Sequence, residues 1–321
     1  MMLIREDFPL SELVYYKIGG KARFVLEVSN VAEVKEALDF CRQKDINDIL
    51  ILGLGSNVIL PDSPFLGAVI FLSGDGTSFE RKGTKIKAFA GETMDSLIKE
   101  SISESLVGLE WAGGLPSSVG GAVRGNAGAF GAETKDTFFE AEVIDITDPE
   151  LKIKTYSHTE AHFGYRDSFF KHHPNLLIVS ATFQLKEGSV AEVQEAEEVY
   201  RKNIDYRQTH HPMEYPSCGS VFKNITHKEE EEKIFKVWPE VRELSEQKWY
   251  GKVSMGYLIN RLGFSQKQVG GAMVSSKHTN YIVNIDHAKG EDVKTLIKEI
   301  QDKFAETFGF RPEPEVVIIN D

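Results

Sequence analysis

The chain has 321 residues and a formal net charge of −12, enough length for two domains or one domain with an added unit. Hydrophobic and charged fractions of 41% and 27% are those of an ordinary globular protein, and the acidic balance argues against a general nucleic-acid binder. No apolar run approaches the roughly 18 residues of a membrane span, the N-terminus has no charged-then-apolar signal pattern, and two cysteines, Cys41 and Cys218, cannot make a disulfide framework, so a cytosolic protein without membrane contact is expected.

In chain order, residues 23–28 alternate like a strand, and Val31, Val34, Ala37, Leu38 and Cys41 fall at helical spacing. Ile49 to Leu52 reads as a buried strand. Further strands are predicted at 69–72, 78–80 and 85–88. Thr93 caps a helix running to about Ser103. Strands follow near 140–146, 152–156 and 176–186, then a helix over Val190 to Asn203. The acidic run Glu229 to Glu232 reads as a solvated helix start. A helix at 254–262 has Ser254 as its cap and Gly263 beyond its end. Strands near 272–275 and 281–284, a helix over 290–308 and a strand at Val316 to Ile319 complete the pattern.

The most informative stretch is Trp111 to Glu133, which holds seven glycines interleaved with Val119, Val123, Asn126 and Phe130. A flexible linker is polar and repetitive, whereas this mixture suits ordered backbone closely approaching a ligand. Gly53-Leu54-Gly55-Ser56-Asn57 follows a strand, and its successive N–H groups suit a nest for phosphate oxygens; a plain turn is the equal alternative. It lacks the third glycine of a dinucleotide fingerprint and the Gly-Lys-Ser/Thr of a Walker loop. Pro116-Ser117-Ser118 ahead of Val119-Gly120-Gly121 reads as a short helix start whose free N–H groups suit a pyrophosphate, against the alternative of close helix–sheet packing. Two such cradles point to a large phosphate-bearing cofactor.

Arg166, beside Tyr165, is suited to grip a carboxylate, although taken alone a structural ion pair with a nearby Asp is the favoured explanation. Ser220 sits among small residues in Tyr215 to Asn224, as a proton donor or, given a base, a nucleophile; no G-x-S-x-G elbow surrounds it. Cys218 reads as a small buried packing residue. His210 and His211 have no metal-ligand spacing to another His, Cys or acid, so no metal is expected. Glu315 draws notice because buried residues follow it.

Taken together, Ile18-Gly19-Gly20-Lys21-Ala22, residues 53–57 and 113–131, Tyr165-Arg166-Asp167-Ser168, Pro216 to Asn224, Gly270 to Asn284 and Pro314-Glu315-Val316 resemble, in order, the UDP-N-acetylenolpyruvoylglucosamine reductase family of bacterial peptidoglycan synthesis. The segment Tyr215 to Phe222 resembles its shorter second type. The resemblance implies an α+β chain with an FAD-binding fold of the vanillyl-alcohol oxidase (PCMH) type in two subdomains, plus an α+β substrate-binding domain. The expected division is 1–65 for the first FAD-binding subdomain, 66–205 for the second with the C-terminal strand 309–321 returning to it, and 206–308 for the substrate. FAD contacts carry over to Gly53, Leu54, Gly55, Ser56 and Asn57, to Gly114, Pro116, Ser117, Ser118, Gly120 and Gly121, and to Asn126, Ala127, Gly128 and Gly131.

The implied reaction takes hydride from NADPH to flavin N5, then to the enolpyruvyl C3 of a UDP-sugar, with a proton added at C2. Family roles map to Ser220 as proton donor, and to Arg166 and Glu315 as stabilisers of the enolic intermediate. Tyr165, Arg207 and Asn224 map to substrate contacts. The chain departs from the family pattern at Tyr16, where Thr or Ser is usual, and at His211, where Gln often precedes the proline. The lysine used on the substrate diphosphate has no match, with Arg207 or His210 as the stand-in. Two rivals are an oxidase of the same fold and a non-catalytic nucleotide-sugar or flavin binder. Such oxidases often attach flavin through a His or Cys, which the glycine loops lack, and a mere binder need not keep Ser220, Arg166 and Glu315 in matching contexts.

Overall fold

The structure is a computed structural model that describes residues 2–319. Contacts divide the described residues into two compact units: residues 2–8, 22–54 and 65–209 form the first, and residues 9–21, 55–64 and 210–319 the second.

The first unit holds two sheets. One has the order Leu3–Pro9, Lys21–Val28, Phe65–Leu72, Ile49–Leu52. Its last three strands run parallel, with Val25 opposite Val69 and Ile51 opposite Ile70. Parallel neighbours require a crossover, and the helix Val31–Gln43 supplies one, capped by Asn30 Oδ1 accepting from Glu33 N at 3.0 Å. Its stripe of Val34, Ala37, Leu38 and Cys41 is buried with Phe24, Leu26, Val28 and Ile70.

The other sheet has the order Ile153–Ser157, Phe138–Asp145, Leu176–Gln184, Lys85–Phe89, Phe79–Lys82, antiparallel throughout. Its central strand, Leu176–Gln184, is buried along nearly all its length, Ser180 and Thr182 included, which is why it does not show the strict apolar–polar alternation of a half-exposed strand. The helix Met94–Ser103 starts where Thr93 Oγ1 accepts from Ser96 N at 2.9 Å.

The second unit has one four-stranded sheet, Ser217–Ser220, Tyr281–Asn284, Ala272–Val274, Gln268–Val269. Its helices are Lys228–Val237, Glu240–Lys248, Met255–Arg261 and Gly290–Phe308. Glu240–Lys248 is absent from the sequence expectation, because only Val241 and Ser245 on it are buried and no apolar periodicity marks it. The core joins Phe222, Leu258, Ile282, Leu296, Ile300 and Phe304 to Tyr16, Ile18 and Ile59 from the two N-terminal insertions.

The division differs from the expected one in three places. Phe65–Leu72 pairs inside the first sheet, so a boundary at 65/66 splits a sheet from its central strand. The helix Val190–His210 runs past the expected end at Asn203 and across the boundary at 205. The C-terminal strand does not return to 66–205: Val317–Ile318 pairs in parallel with Val58–Ile59, and buried Val316 joins the core of the second unit. Among the described residues no helix is long and apolar enough to cross a membrane.

Candidate active site

The two glycine stretches meet. A Cβ on Gly53 would lie 2.1 Å from Ser118 Oγ and 2.9 Å from Ser118 Cβ, so only glycine lets the loop after Ile49–Leu52 touch the start of the helix Val119–Gly125. That start is capped by Ser118 Oγ, which accepts from Gly121 N at 3.2 Å. The expectation of free N–H groups here needs correcting. Val119 N donates to Glu92 O at 2.8 Å and Gly120 N to Ala90 O at 2.9 Å. A Cβ on Gly120 would sit 2.9 Å from Ala90 Cβ. Close helix–strand packing therefore explains Gly120, and the helix start spends these N–H groups on protein. The loop 53–57 behaves differently: none of its backbone N–H groups finds an acceptor among the described residues, which suits a nest for phosphate oxygens.

Gly125 carries a second signal. A Cβ there would meet nothing within 4 Å among the described residues, so no protein neighbour requires glycine. Glycine inside a helix costs about 0.5–1 kcal/mol relative to alanine, and Gly125 ends the helix Val119–Gly125. Gly125 thus fits a flat cofactor whose own surface excludes a side chain, whereas Gly131, also in open space, is explained by its left-handed φ of 88°. Gly125→Ala is expected to leave or raise the thermal midpoint of flavin-free protein while lowering bound flavin, read from the visible absorbance of purified protein; unchanged flavin content would remove Gly125 from the cradle.

The next residues build a clamp. Asn126 is fully buried, ends the helix in the left-handed region (φ 43°), and donates from Nδ2 to Gly164 O at 2.8 Å and Glu133 Oε2 at 3.1 Å. Gly164 and Asp167 close a tight turn by exchanging backbone bonds of 3.0 and 3.2 Å, and Tyr165 and Arg166 form its tip. Arg166 Nη2 donates to Gly128 O at 2.6 Å, so the predicted carboxylate grip is tied to the predicted cofactor loop. Asp167 accepts from His172 at 2.9 Å.

In the second unit, Ser220 ends its strand opposite Tyr281, after Gly219 at φ 79°. Its side chain makes no bond to another described residue. Glu315 N donates to Val221 O at 2.7 Å, and Asn57 Nδ2 donates to Glu315 O at 3.3 Å. The predicted Glu315 is therefore joined through its backbone to the residue after Ser220 and to the side chain of Asn57. Asn280, given no role from sequence, clasps the same strand: Oδ1 accepts from Phe222 N at 3.0 Å and Nδ2 donates to Phe222 O at 2.9 Å. An Asn flanked by a polar loop and a strand was the available signal.

Two predicted substrate contacts have structural duties. Arg207 is 8% exposed, its Nε donates to Gly113 O at 3.0 Å and its guanidinium covers the Phe130 ring at 5.4 Å. It supports the glycine run from behind. Asn224 Oδ1 accepts from Met255 N at 3.0 Å, at the start of a helix.

Tyr16, the departure from the family pattern, is fully buried and donates from its hydroxyl to Ile282 O at 2.8 Å. Burial holds its phenol well above the ordinary value, with Cys218 adding to the rise. Burial likewise pushes the Cys218 thiol up to about 12, with the Glu315 carboxylate adding to it, and burial lifts Cys41 to about 11. Thiolate is the reactive form, so at pH 8 a thiol reagent is expected to label neither cysteine of the folded protein and both in denaturant; fast native labelling of one would place it outside the core.

Comparison with known proteins bears on both units. Residues 22–152 match the family model of an FAD binding domain, and residues 211–319 match that of the UDP-N-acetylenolpyruvoylglucosamine reductase C-terminal domain. The reductase of that name from Synechococcus sp. strain CC9311 is 32% identical over 98% of this chain and 92% of its own length. Its counterpart from Lactobacillus delbrueckii subsp. bulgaricus is 34% identical over 99% and 96%. The crystal structure of UDP-N-acetylenolpyruvylglucosamine reductase from Thermus caldophilus matches with a TM-score of 0.75 and 26% identity, covering 100% of both chains. The fold is thus the α+β, PCMH-type FAD-binding fold with an appended domain. The chain belongs to the UDP-N-acetylenolpyruvoylglucosamine reductase family, FAD-containing oxidoreductases of peptidoglycan synthesis that use NADPH.

Proposed function

We propose that the chain reduces UDP-N-acetylglucosamine enolpyruvate to UDP-N-acetylmuramate in the bacterial cytoplasm, with Ser220 giving the proton to C2. FAD, when bound, would supply the redox chemistry of a hydride transfer from NADPH to the substrate C3. The loop 53–57 and the open backbone at Gly125 would hold and orient it, with Gly120 packed against Ala90 instead. Hydride addition to an enol ether conjugated with a carboxylate drives charge onto that carboxylate. Arg166 is suited to hold this charge, since a cation fixed in advance favours the transition state over the ground state. Glu315 is assigned to the same intermediate. A serine hydroxyl is a weak acid, yet donates when placed within hydrogen-bond reach of a strongly basic carbon.

The observation that carries the reading is the 2.7 Å main-chain bond from Glu315 N to Val221 O, which supports one site for the segments of Ser220 and Glu315 although nearly a hundred residues of sequence separate them. The test is an anaerobic visible spectrum through two additions. NADPH should bleach the oxidised flavin band, and UDP-N-acetylglucosamine enolpyruvate should restore it. Bleaching without recovery would indicate a different second substrate, and fast reoxidation by air with no response to NADPH would favour an oxidase.

A further inference from the structure

Arg166 has a backbone conformation that its residue type does not favour. Its φ is 55°, and it is the third residue of the turn Gly164–Asp167. A positive φ at that position ordinarily calls for Gly or Asn, because a Cβ crowds the neighbouring carbonyl. A strained non-glycine residue persists only where its surroundings over-determine it, and such residues gather at functional sites. Several contacts hold this turn, among them three that involve its first and third residues. Asn126 Nδ2 binds Gly164 O at 2.8 Å, Arg166 Nη2 binds Gly128 O at 2.6 Å, and Lys171 Nζ binds the carbonyl of Arg166 itself at 2.9 Å.

The third contact acts on the strained residue directly. The orientation of a residue's carbonyl follows its ψ, so a charge-assisted bond to that oxygen resists relaxation of the peptide after Arg166. Lys171 is well founded for this. It ends a short turn, Phe169–Lys171, whose Phe170 is buried and whose preceding Ser168 donates from Oγ to Arg124 O at 2.7 Å. The lysine therefore reaches back over Arg166 from a base fixed to the glycine-rich helix.

We propose that Lys171 is a positioning residue for Arg166: by bonding its carbonyl, it holds the arginine in the left-handed conformation that aims the guanidinium for a substrate carboxylate. The inference rests on the assignment of Arg166 made above.

Lys171→Met and Lys171→Arg are compared with Arg166→Met and with the double variant Arg166→Met/Lys171→Met. Flavin content and the rate of anaerobic flavin reduction by NADPH serve as controls for folding and cofactor binding. Lys171→Met should raise the KM for the enolpyruvyl substrate at least tenfold while both controls stay within twofold, and Lys171→Arg should recover most of the loss. In the double variant the lysine substitution should add nothing beyond Arg166→Met. A normal substrate KM in Lys171→Met beside an impaired Arg166→Met overturns the positioning role alone. Additive losses in the double variant also overturn it, since Lys171 would then act independently of Arg166. Loss of flavin in Lys171→Met and Lys171→Arg alike overturns it in favour of a general structural role. Wild-type substrate affinity in Arg166→Met overturns the assignment of Arg166 and, with it, this one.

Discussion

Ser220→Ala is expected to bleach its flavin with NADPH at the parent rate and then to stall when the enolpyruvyl substrate arrives. Nothing in the first half-reaction requires the Ser220 hydroxyl, and the backbone that holds it is bonded independently of the side chain: Val221 N donates to Asn280 O at 2.8 Å and Glu315 N to Val221 O at 2.7 Å. Alanine keeps the Cβ and removes only the oxygen. Loss of a positioned general acid costs about 10²–10⁴-fold, so steady-state turnover should fall by that factor with little change in KM for NADPH. Stopped-flow absorbance with the two additions separated in time reads both halves. Full turnover by the variant would take Ser220 out of its assigned role, and slow bleaching would mean that the substitution disturbs flavin binding instead.

Gly53→Ala should lose flavin. The new methyl would arrive 2.1 Å from Ser118 Oγ and 2.9 Å from Ser118 Cβ. Rotating the hydroxyl away removes the cap on Gly121 N, worth about 1 kcal/mol, and still leaves the second contact far too close. Separating the two backbones adds an overpacking cost of about 1–3 kcal/mol. If the sum falls on the cradle, about 2–4 kcal/mol corresponds to a loss of roughly 30- to 1,000-fold in FAD affinity. Flavin retained through gel filtration and the thermal midpoint with added FAD are the two readouts. A variant that keeps stoichiometric flavin would show that the loop and helix start can separate without harm to the site. The companion Gly125→Ala tests the opposite geometry, open space instead of contact, and should spare the flavin-free fold.

Much of the fold is legible in the sequence where local chemistry and burial agree. Thr93 and Ser254 cap the expected helices, with Ser254 Oγ accepting from Tyr257 N at 3.4 Å. The alternation at residues 23–28 and the strand expected at 176–186 both become strands, the latter ending at Gln184. The misses share a physical cause. The helix Val190–His210 buries a stripe of Ala196, Tyr200, Asn203 and Arg207, in which the last two members are polar. A pattern search for apolar side chains stops at Asn203, although Asn203 Nδ2 binds Glu110 O at 3.1 Å and Arg207 binds Gly113 O. At the site, glycine density located the cradle but could not separate glycines needed for internal packing, such as Gly120, from those facing open space, such as Gly125. Lys171 stands out in the sequence only as a second cation near Arg166, without a role, since its partner is a main-chain carbonyl and main-chain geometry at Arg166 leaves no mark on residue type.

The two N-terminal insertions of the second unit bear on how the chain comes into being. Tyr16, Ile18 and Ile59 are buried with residues between 218 and 316, and the strand partner of Val58–Ile59 is Val317–Ile318, almost the last residues described. A nascent chain therefore exposes these side chains long before their partners exist; at ~5–20 residues per second, roughly 200 residues of synthesis take about 10–40 s. Over that interval the first unit can gather its own sheets while residues 9–21 and 55–64 remain sticky loops, a natural target for holding chaperones. The same ordering makes a fragment ending at Thr209 a poor stand-alone flavin domain, since it would carry those apolar loops with nothing to cover them.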